Sequence, residues 1–238
     1  MSGTNELNTP INNLILAALP AQERRRLLPK LEQISLNLKE IIYEQGDIIR
    51  NVYFPNSGIV SLLAGVENHG MLEVGIVGAE GIIGLPVFLG AKTSNNHAVV
   101  QGAGAAVKMK SADFLAECRD NGALPRLLRR FTQSLLTQIS QSAVCFRFHP
   151  IEARLARWLL MTRDRMQSNE FQLTQEFLSN MLGVRREAVN KAAVILQLRE
   201  LISYSRGNIS IINPVDLEKA ACICYGIVKD EEKSYPAK

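Results

Sequence analysis

Between Arg185 and Leu198 two kinds of residue alternate with a helical period. At 100° per residue, Arg186, Glu187, Asn190 and Lys191 fall within one arc of roughly 140°. Ala188, Val189, Ala192, Ala193 and Leu196 fill the opposite arc. Two cations, a carboxylate and an amide on one face are the donors and acceptors that read base edges: Arg suits guanine, Asn adenine, and Glu the amino group of cytosine. Small apolar residues on the other face let such a helix pack closely on a neighbour. Charge is distributed to match. The chain carries a net +4, and residues 147–213 hold ten Lys/Arg against six Asp/Glu, so the whole excess lies in this segment. A net positive domain supports phosphate binding through counterion release.

Other chemistry is sparse. Cys222 and Cys224 form a Cys-x-Cys pair, a spacing that zinc sites sometimes use, but His69, His97 and His149 lie far from one another in sequence and none is near the pair. With Cys118 and Cys145 the cysteines number four, too few and too scattered for a disulfide framework in a chain of 238 residues. They read as reduced thiols, and no metal site is expected. Gly75-x-x-Gly78 and Gly78-x-x-Gly81 have no Gly-Lys-Ser/Thr ending and read as turns rather than a phosphate loop. Glu73 and Glu80 are isolated acids with no evident partner, and no nucleophile–base pair is visible. The chain is not expected to be an enzyme, and no cofactor is predicted.

The elements that must position the polar face are legible around it. Thr174 is a good N-cap for a short helix burying Phe177, Leu178, Met181 and Leu182. Gly183 supplies the tight turn, Val184 packs inward, and the second helix runs from about Arg185 to Leu198. Two short strands follow, Ile202–Ser205 and Ile209–Ile212, joined by Arg206-Gly207-Asn208. They predict a β-wing with Arg206 at its tip, placed to meet a phosphate.

Upstream, Ile34 to Met109 is a run of short apolar segments such as Ile59–Leu63, Leu72–Val77 and Ala105–Val107, separated by glycine turns. This predicts an antiparallel roll or barrel. Before it, Leu14, Leu19, Leu27, Leu28 and Leu31 are spaced for helix interrupted by Pro20 and Pro29, with Arg24 to Arg26 on a solvated face. After it come a short helix at Ser111 to Glu117, a break at Asn121-Gly122, and a long helix from about Leu124 to Cys145. Its stripe Leu124, Leu128, Phe131, Leu135, Ile139 and Phe146 steps mostly by three or four and predicts a dimer seam, flanked by Leu127, Leu136 and Ala143. His149-Pro150 marks a boundary, followed by a helix from Ile151 to Arg165 with Leu155, Trp158, Leu159 and Met161 buried. The polar start, Met1 to Pro10, and the lack of any apolar run near the ~18 residues of a membrane span predict a cytoplasmic protein with no membrane partner.

The string LTQEFLSNMLGVRREAVNKAAVIL (residues 173–196) resembles the T-x-E-x-L-A-x-x-L-G-x-x-R-E-T-V pattern of the Crp/Fnr family of bacterial regulators, and the order of elements resembles that family over nearly the whole chain. The resemblance implies an α+β fold. It would have a β-roll sensor-like domain with N-terminal helices over residues 1–122, a dimerisation helix and hinge over 123–148, and a winged helix-turn-helix over 149–238. It implies that Arg186 and Glu187 read bases, helped by Asn190 and Lys191, while Thr174 and Arg206 steady the DNA backbone. Arg185 departs from the small polar residue usual at the helix start. Partners implied are double-stranded DNA bearing an inverted repeat, a second copy of the chain, and RNA polymerase.

The sensor half departs further. Cyclic-nucleotide-binding members carry a cassette resembling G-E-[LI]-x-L, followed about ten residues on by R-[ST]-A. Here Gly84 is followed by Leu85 in place of the acid, and Asn95 or Asn96 stands in place of the Arg. A buried phosphate without a cation is costly, and Lys92 is the nearest substitute, so cyclic AMP control is not expected and the effector is open. No cysteine precedes Cys118, which argues against the family's N-terminal iron–sulfur cluster; His69 and His97 read as loop histidines rather than haem ligands. The rival reading is a ligand-sensing or scaffold protein acting through protein contacts, with a vestigial helix-turn-helix.

Overall fold

Glycine turns and two-residue alternation between Glu32 and Lys110 produce strands, and helical periods on either side produce helices, in a computed structural model that describes residues 11–66, 70–119 and 121–234. These residues form two compact units: 11–62 with 76–135 and 232–234, and 63–75 with 136–231.

In the first half of the chain the order is α1 (Leu14–Ala17), α2 (Ala21–Leu27), a 3-10 turn (Leu28–Lys30), β1 (Glu32–Leu36), β2 (Ile41–Tyr43), β3 (Asn51–Pro55), β4 (Ile59–Val66) and β5 (Gly70–Val77). Then come α3 (Leu85–Phe88), β6 (His97–Gly102), β7 (Gly104–Lys110), α4 (Ser111–Glu117) and α5 (Ala123–Phe148). The strands form two sheets, β1-β7-β3 and β2-β6-β4-β5, with antiparallel registers such as Phe54 opposite Val107. This is the predicted roll. On β3, Val52 and Phe54 are buried while Asn51 and Tyr53 are half-buried, the period of two that a one-sided core demands. Phe54 meets Phe114 of α4 edge-on, ring centroids 6.3 Å apart.

Two polar side chains fix the helices of this unit. Asn13 caps α1, accepting from Leu16 N at 3.2 Å, and donates to the carbonyls of Pro55 and Gly81 at 3.0 and 2.8 Å. Glu23 accepts from Ala123 N and Leu124 N, at 2.9 and 3.2 Å, placing a carboxylate on the positive end of α5. Beside it Gly81 packs so tightly that an added Cβ would come within 2.3 Å of the Phe131 ring.

That packing covers part of the stripe expected as a seam along α5. Leu124, Leu128, Phe131 and Leu135 are already buried within the single chain (1, 0, 3 and 8% exposed), while Ile139 and Phe146 are half-buried. The stripe is core first. The large apolar residues that α5 leaves exposed are Leu136, Val144 and Phe148, at 54, 42 and 71%, and the smaller Ala143 is exposed with them. At 100° per residue Val144 and Phe148 lie on the far side of the helix from the seam, roughly 140–180° round, and Leu136 on its flank, roughly 100° round.

The second unit is built around α6 (Ile151–Met166), followed by β8 (Glu170–Gln172), α7 (Gln175–Leu182), α8 (Arg186–Leu198), β9 (Ile202–Ser205), β10 (Asn208–Ile211), α9 (Pro214–Ala220) and α10 (Ile223–Lys233). Every residue of α6 from Arg154 to Thr162 is buried, as expected of a helix surrounded by others. It packs against α7, α8 and α9. The three strands form a sheet in the order β8-β10-β9. Two expectations change here. Glu73 is not isolated: it is buried and accepts from Trp158 Nε1 at 2.7 Å, within this unit. Glu80 accepts from the amide of Gly78 at 3.0 Å. Among the described residues no helix is long and apolar enough to cross a membrane.

Candidate nucleic-acid interface

The residues assigned to base reading gather on one exposed surface. Thr174 occupies the N-cap of α7 with extended backbone (φ −80°, ψ 155°), and its hydroxyl accepts from Phe177 N at 3.1 Å. As an acceptor in the cap it keeps its O–H proton to donate outward. Phe177 is half-buried, edge-on to Trp158 at 6.3 Å, and Leu178, Met181 and Leu182 are buried. Gly183 ends the helix in the left-handed region (φ 60°, ψ 41°), and a Cβ there would lie 2.5 Å from Leu72 Cδ1. The backbone calls for glycine, and any Cβ would also have to displace the end of the Leu72 side chain. Arg185 takes the N-cap position of α8, exposed and without a side-chain cap bond.

α8 divides as the spacing requires. Val189, Ala192, Ala193 and Leu196 are buried and Ala188 is half-buried, while Arg186, Glu187, Asn190 and Lys191 are exposed. The polar face is also organised, by a residue sequence reasoning missed. Gln175 Nε2 donates to Asn190 Oδ1 at 2.9 Å, and Gln175 Oε1 accepts from Arg186 Nε at 3.2 Å. One amide on α7 therefore ties together two readers on α8. Arg186 spends only its Nε, so both Nη groups remain for the O6 and N7 of a guanine. The missed signal was Gln immediately after the N-cap Thr, which starts the first turn beside the partner helix.

The wing is tighter than expected. β10 begins at Asn208, opposite Ser205, so the loop is Arg206-Gly207 alone. Both residues have positive φ, 50° and 83°, the signature of a type I′ hairpin. Arg206 stands exposed at the tip. Tyr204 anchors the wing by donating to the Leu173 carbonyl at 3.0 Å; burial raises its phenol above the usual value, partly offset by Arg186. β8 adds a third strand, Asn208 opposite Gln172, that the sequence reading did not include.

We expect Thr174→Ala to lower the unfolding free energy by about 1 kcal/mol through loss of the N-cap. Urea denaturation measures this; an unchanged midpoint would refute the capping role.

In the sensor-like half, Leu85 opens α3 and is buried, directly after Gly84 in the left-handed region (φ 95°). Asn95 and Lys92 are exposed and Asn96 is half-buried. Ser94 between them is buried and is bonded to Tyr43, whose phenol burial pushes up to about 12. His97 is half-buried at the start of β6, and His69 lies outside the described residues. A further cluster was not foreseen: Cys145 and His149 are brought to the Cys222/Cys224 pair, the four ligand atoms within 4.8 Å of one another. This set can hold a metal.

Comparison with known proteins agrees with these two halves. A family model of the cyclic nucleotide-binding domain matches residues 33–121, and one of the Crp-like helix-turn-helix domain matches residues 153–220. No curated protein matches the chain by sequence. Among solved structures, FixK2 from Bradyrhizobium japonicum superposes with a TM-score of 0.68 at 17% identity, covering 81% of this chain and 98% of that one. A transcriptional regulator of the crp/fnr family from Eubacterium rectale gives 0.67 at 14% identity, covering 87 and 96%. CLP of Xanthomonas campestris, described as a c-di-GMP-responsive global regulator, gives 0.66 at 16%, covering 81 and 99%. At these identities the likeness is one of fold.

Proposed function

The chain belongs to the Crp/Fnr family of transcriptional regulators, and on that premise we propose that it binds an inverted-repeat operator as a homodimer without control by cyclic AMP. The observation that carries the reading is the exposed Arg186–Glu187–Asn190–Lys191 face, with Gln175 holding two of its members in place. Two such faces in a twofold dimer enter successive major grooves about one turn of DNA apart. Arg186 and Glu187 read bases, Asn190 and Lys191 assist, Arg185 lies at the entry of the recognition helix, and Thr174 and Arg206 hold phosphates. The exposed Leu136, Val144 and Phe148 supply an apolar face for the second subunit.

Independence from cyclic AMP is supported by Leu85, a buried aliphatic where a ribose-binding acid would stand, and by the uncharged Asn95 and Asn96 in place of a phosphate-binding Arg. The protein acts where its DNA is, in the cytoplasm, and no catalytic role is assigned to it.

The test is selection of random duplex DNA by the purified, ligand-free protein, with and without cyclic AMP. Enrichment of the same inverted repeat in both arms is the expected result. An absence of any enriched sequence in both arms would overturn the proposal, and enrichment only with cyclic AMP would overturn its effector clause. Arg206→Ala should then weaken binding about equally on matched and mismatched sites and reduce the salt slope by about one. A changed base preference with an unchanged slope would remove Arg206 from the phosphate contacts.

A further inference from the structure

We propose that Cys145, His149, Cys222 and Cys224 form a closed, tetrahedral zinc site that clamps together the two ends of the DNA-binding unit. The four residues come from two places far apart in sequence. Cys145 lies in the last turn of α5 and His149 four residues on, where its amide still bonds to the Cys145 carbonyl at 3.2 Å, so both share one helical face. Cys222 lies in the link between α9 and α10, and Cys224 in the first turn of α10. The Cys-x3-His and Cys-x-Cys pairs converge on one point.

The distances suit a metal better than a disulfide. The Cys145 and Cys222 sulfurs are 3.4 Å apart, the Cys224 sulfur is 3.6 Å from His149 Nδ1, and no two of the four ligand atoms exceed 4.8 Å. A tetrahedron with bonds of about 2.3 Å to sulfur and 2.0–2.1 Å to nitrogen has S···N edges of roughly 3.5 Å and S···S edges of roughly 3.8 Å, so the four atoms need only shift by a few tenths of an ångström to about one ångström to close on an ion. All four cysteines of the chain are free thiols, and the sulfur separation here far exceeds the ~2.05 Å of an S–S bond. The set is three sulfurs and one imidazole, a donor combination that selects zinc among divalent ions. Four protein ligands leave no open position, which makes the site structural rather than catalytic.

Charge provides an independent argument. Arg154 and Arg157 of α6 are buried, 7 and 6% exposed, and neither forms an ion pair among the described residues. Their Nε atoms have no hydrogen-bond partner. Both are close enough to the sulfurs to interact with them electrostatically, Arg154 with Cys145 and Cys222, Arg157 with all three. Arg154 lies over the Phe146 ring at 4.9 Å, Arg157 donates to the Ser142 hydroxyl at 3.2 Å and the buried Glu73 lines the same cavity, so the two guanidiniums have ring and polar contacts but no ion pair of their own, a costly arrangement. Zinc bound by three thiolates and a neutral imidazole carries a net single negative charge and places it beside these two cations.

Arg154 also donates to the Leu182 carbonyl at the end of α7. The metal cluster thereby reaches the turn of the helix-turn-helix through one side chain. The four ligands bracket residues 153–220, the segment matched by the helix-turn-helix family model, and all lie outside it. The expectation that the Cys222/Cys224 pair is a plain pair of thiols rested on its isolation in sequence, and the fold removes that isolation.

The full chain, purified under reducing conditions without chelator, should contain one zinc per chain by elemental mass spectrometry. After stripping and reloading with Co2+ it should show thiolate-to-cobalt charge transfer and the intense visible bands of a tetrahedral ion. Cys222→Ser should weaken metal binding by at least the order of 100-fold, the upper end for loss of even an outer-shell partner. Should that variant fail to fold, His149→Cys retains four ligands and should keep the metal with stronger charge transfer, while Cys118→Ser should match the parent. A folded parent that takes up neither Zn2+ nor Co2+ overturns the proposal. So does a Cys145–Cys222 disulfide found by peptide mapping in the reduced preparation, or Co2+ spectra indifferent to both Cys222→Ser and His149→Cys. None of these readouts uses DNA, so the site stands or falls apart from the operator reading.

Discussion

Arg186→Ala should lower affinity for the selected operator by about 1–3 kcal/mol and erase preference at one base pair while leaving the others intact. The effect is this large because the Arg186 fork is held before DNA arrives. Its Nε is engaged by Gln175, which is itself bonded to Asn190, so little side-chain freedom is left to lose on binding. Equilibrium binding to the operator and to a panel altered one base pair at a time measures both effects. Equal losses across the whole panel would mean that Arg186 contacts phosphate, and an unchanged profile would remove it from the interface. Gln175→Ala touches no base in this account. It should weaken binding by less and leave the identity of the preferred bases unchanged.

The second large effect separates a buried from an exposed position on α5. Leu128 is completely buried, so Leu128→Ala should cost about 2–5 kcal/mol of unfolding free energy from lost burial and the cavity left behind. Leu136 is half exposed in the single chain. Leu136→Glu should leave the fold of each subunit intact by circular dichroism but shift the protein to monomer in sedimentation, and operator affinity should fall with it. If Leu136→Glu stays dimeric, the second subunit sits elsewhere. If Leu128→Ala melts like the parent, the burial assigned to the seam is wrong.

The contrast at α5 shows where sequence reading stops. A stripe of Leu124, Leu128, Phe131 and Leu135 says that one side of the helix must be covered, but periodicity carries no information about what covers it. The roll of the same chain does so, with Phe131 lying over Gly81. The helix-turn-helix was more legible because its signals are local: a capping Thr, a Gly that must adopt positive φ, and an opposed polar and apolar face within thirteen residues. β8 is only three residues long, which is too short to show an alternation. α9 was legible in retrospect from Asn213 as a cap with Pro214 next to it. The cysteine cluster was out of reach, since its pairs are joined only by the path of α6 to α9. Glu73 and Trp158 likewise meet across 85 positions of chain.

The wing tip puts fold and ligand in competition for one residue. Arg206 holds a left-handed backbone conformation that costs a side-chain-bearing residue roughly 1–2 kcal/mol relative to what glycine would accept. For the hairpin alone, Arg206→Gly is an improvement. For the proposed contact with DNA it is the loss of the cation at the hairpin tip. Selection for thermal stability and selection for operator binding should therefore drive this position apart, and a library screened for each in turn would separate at residue 206 first. A firmer wing would be a blunter one.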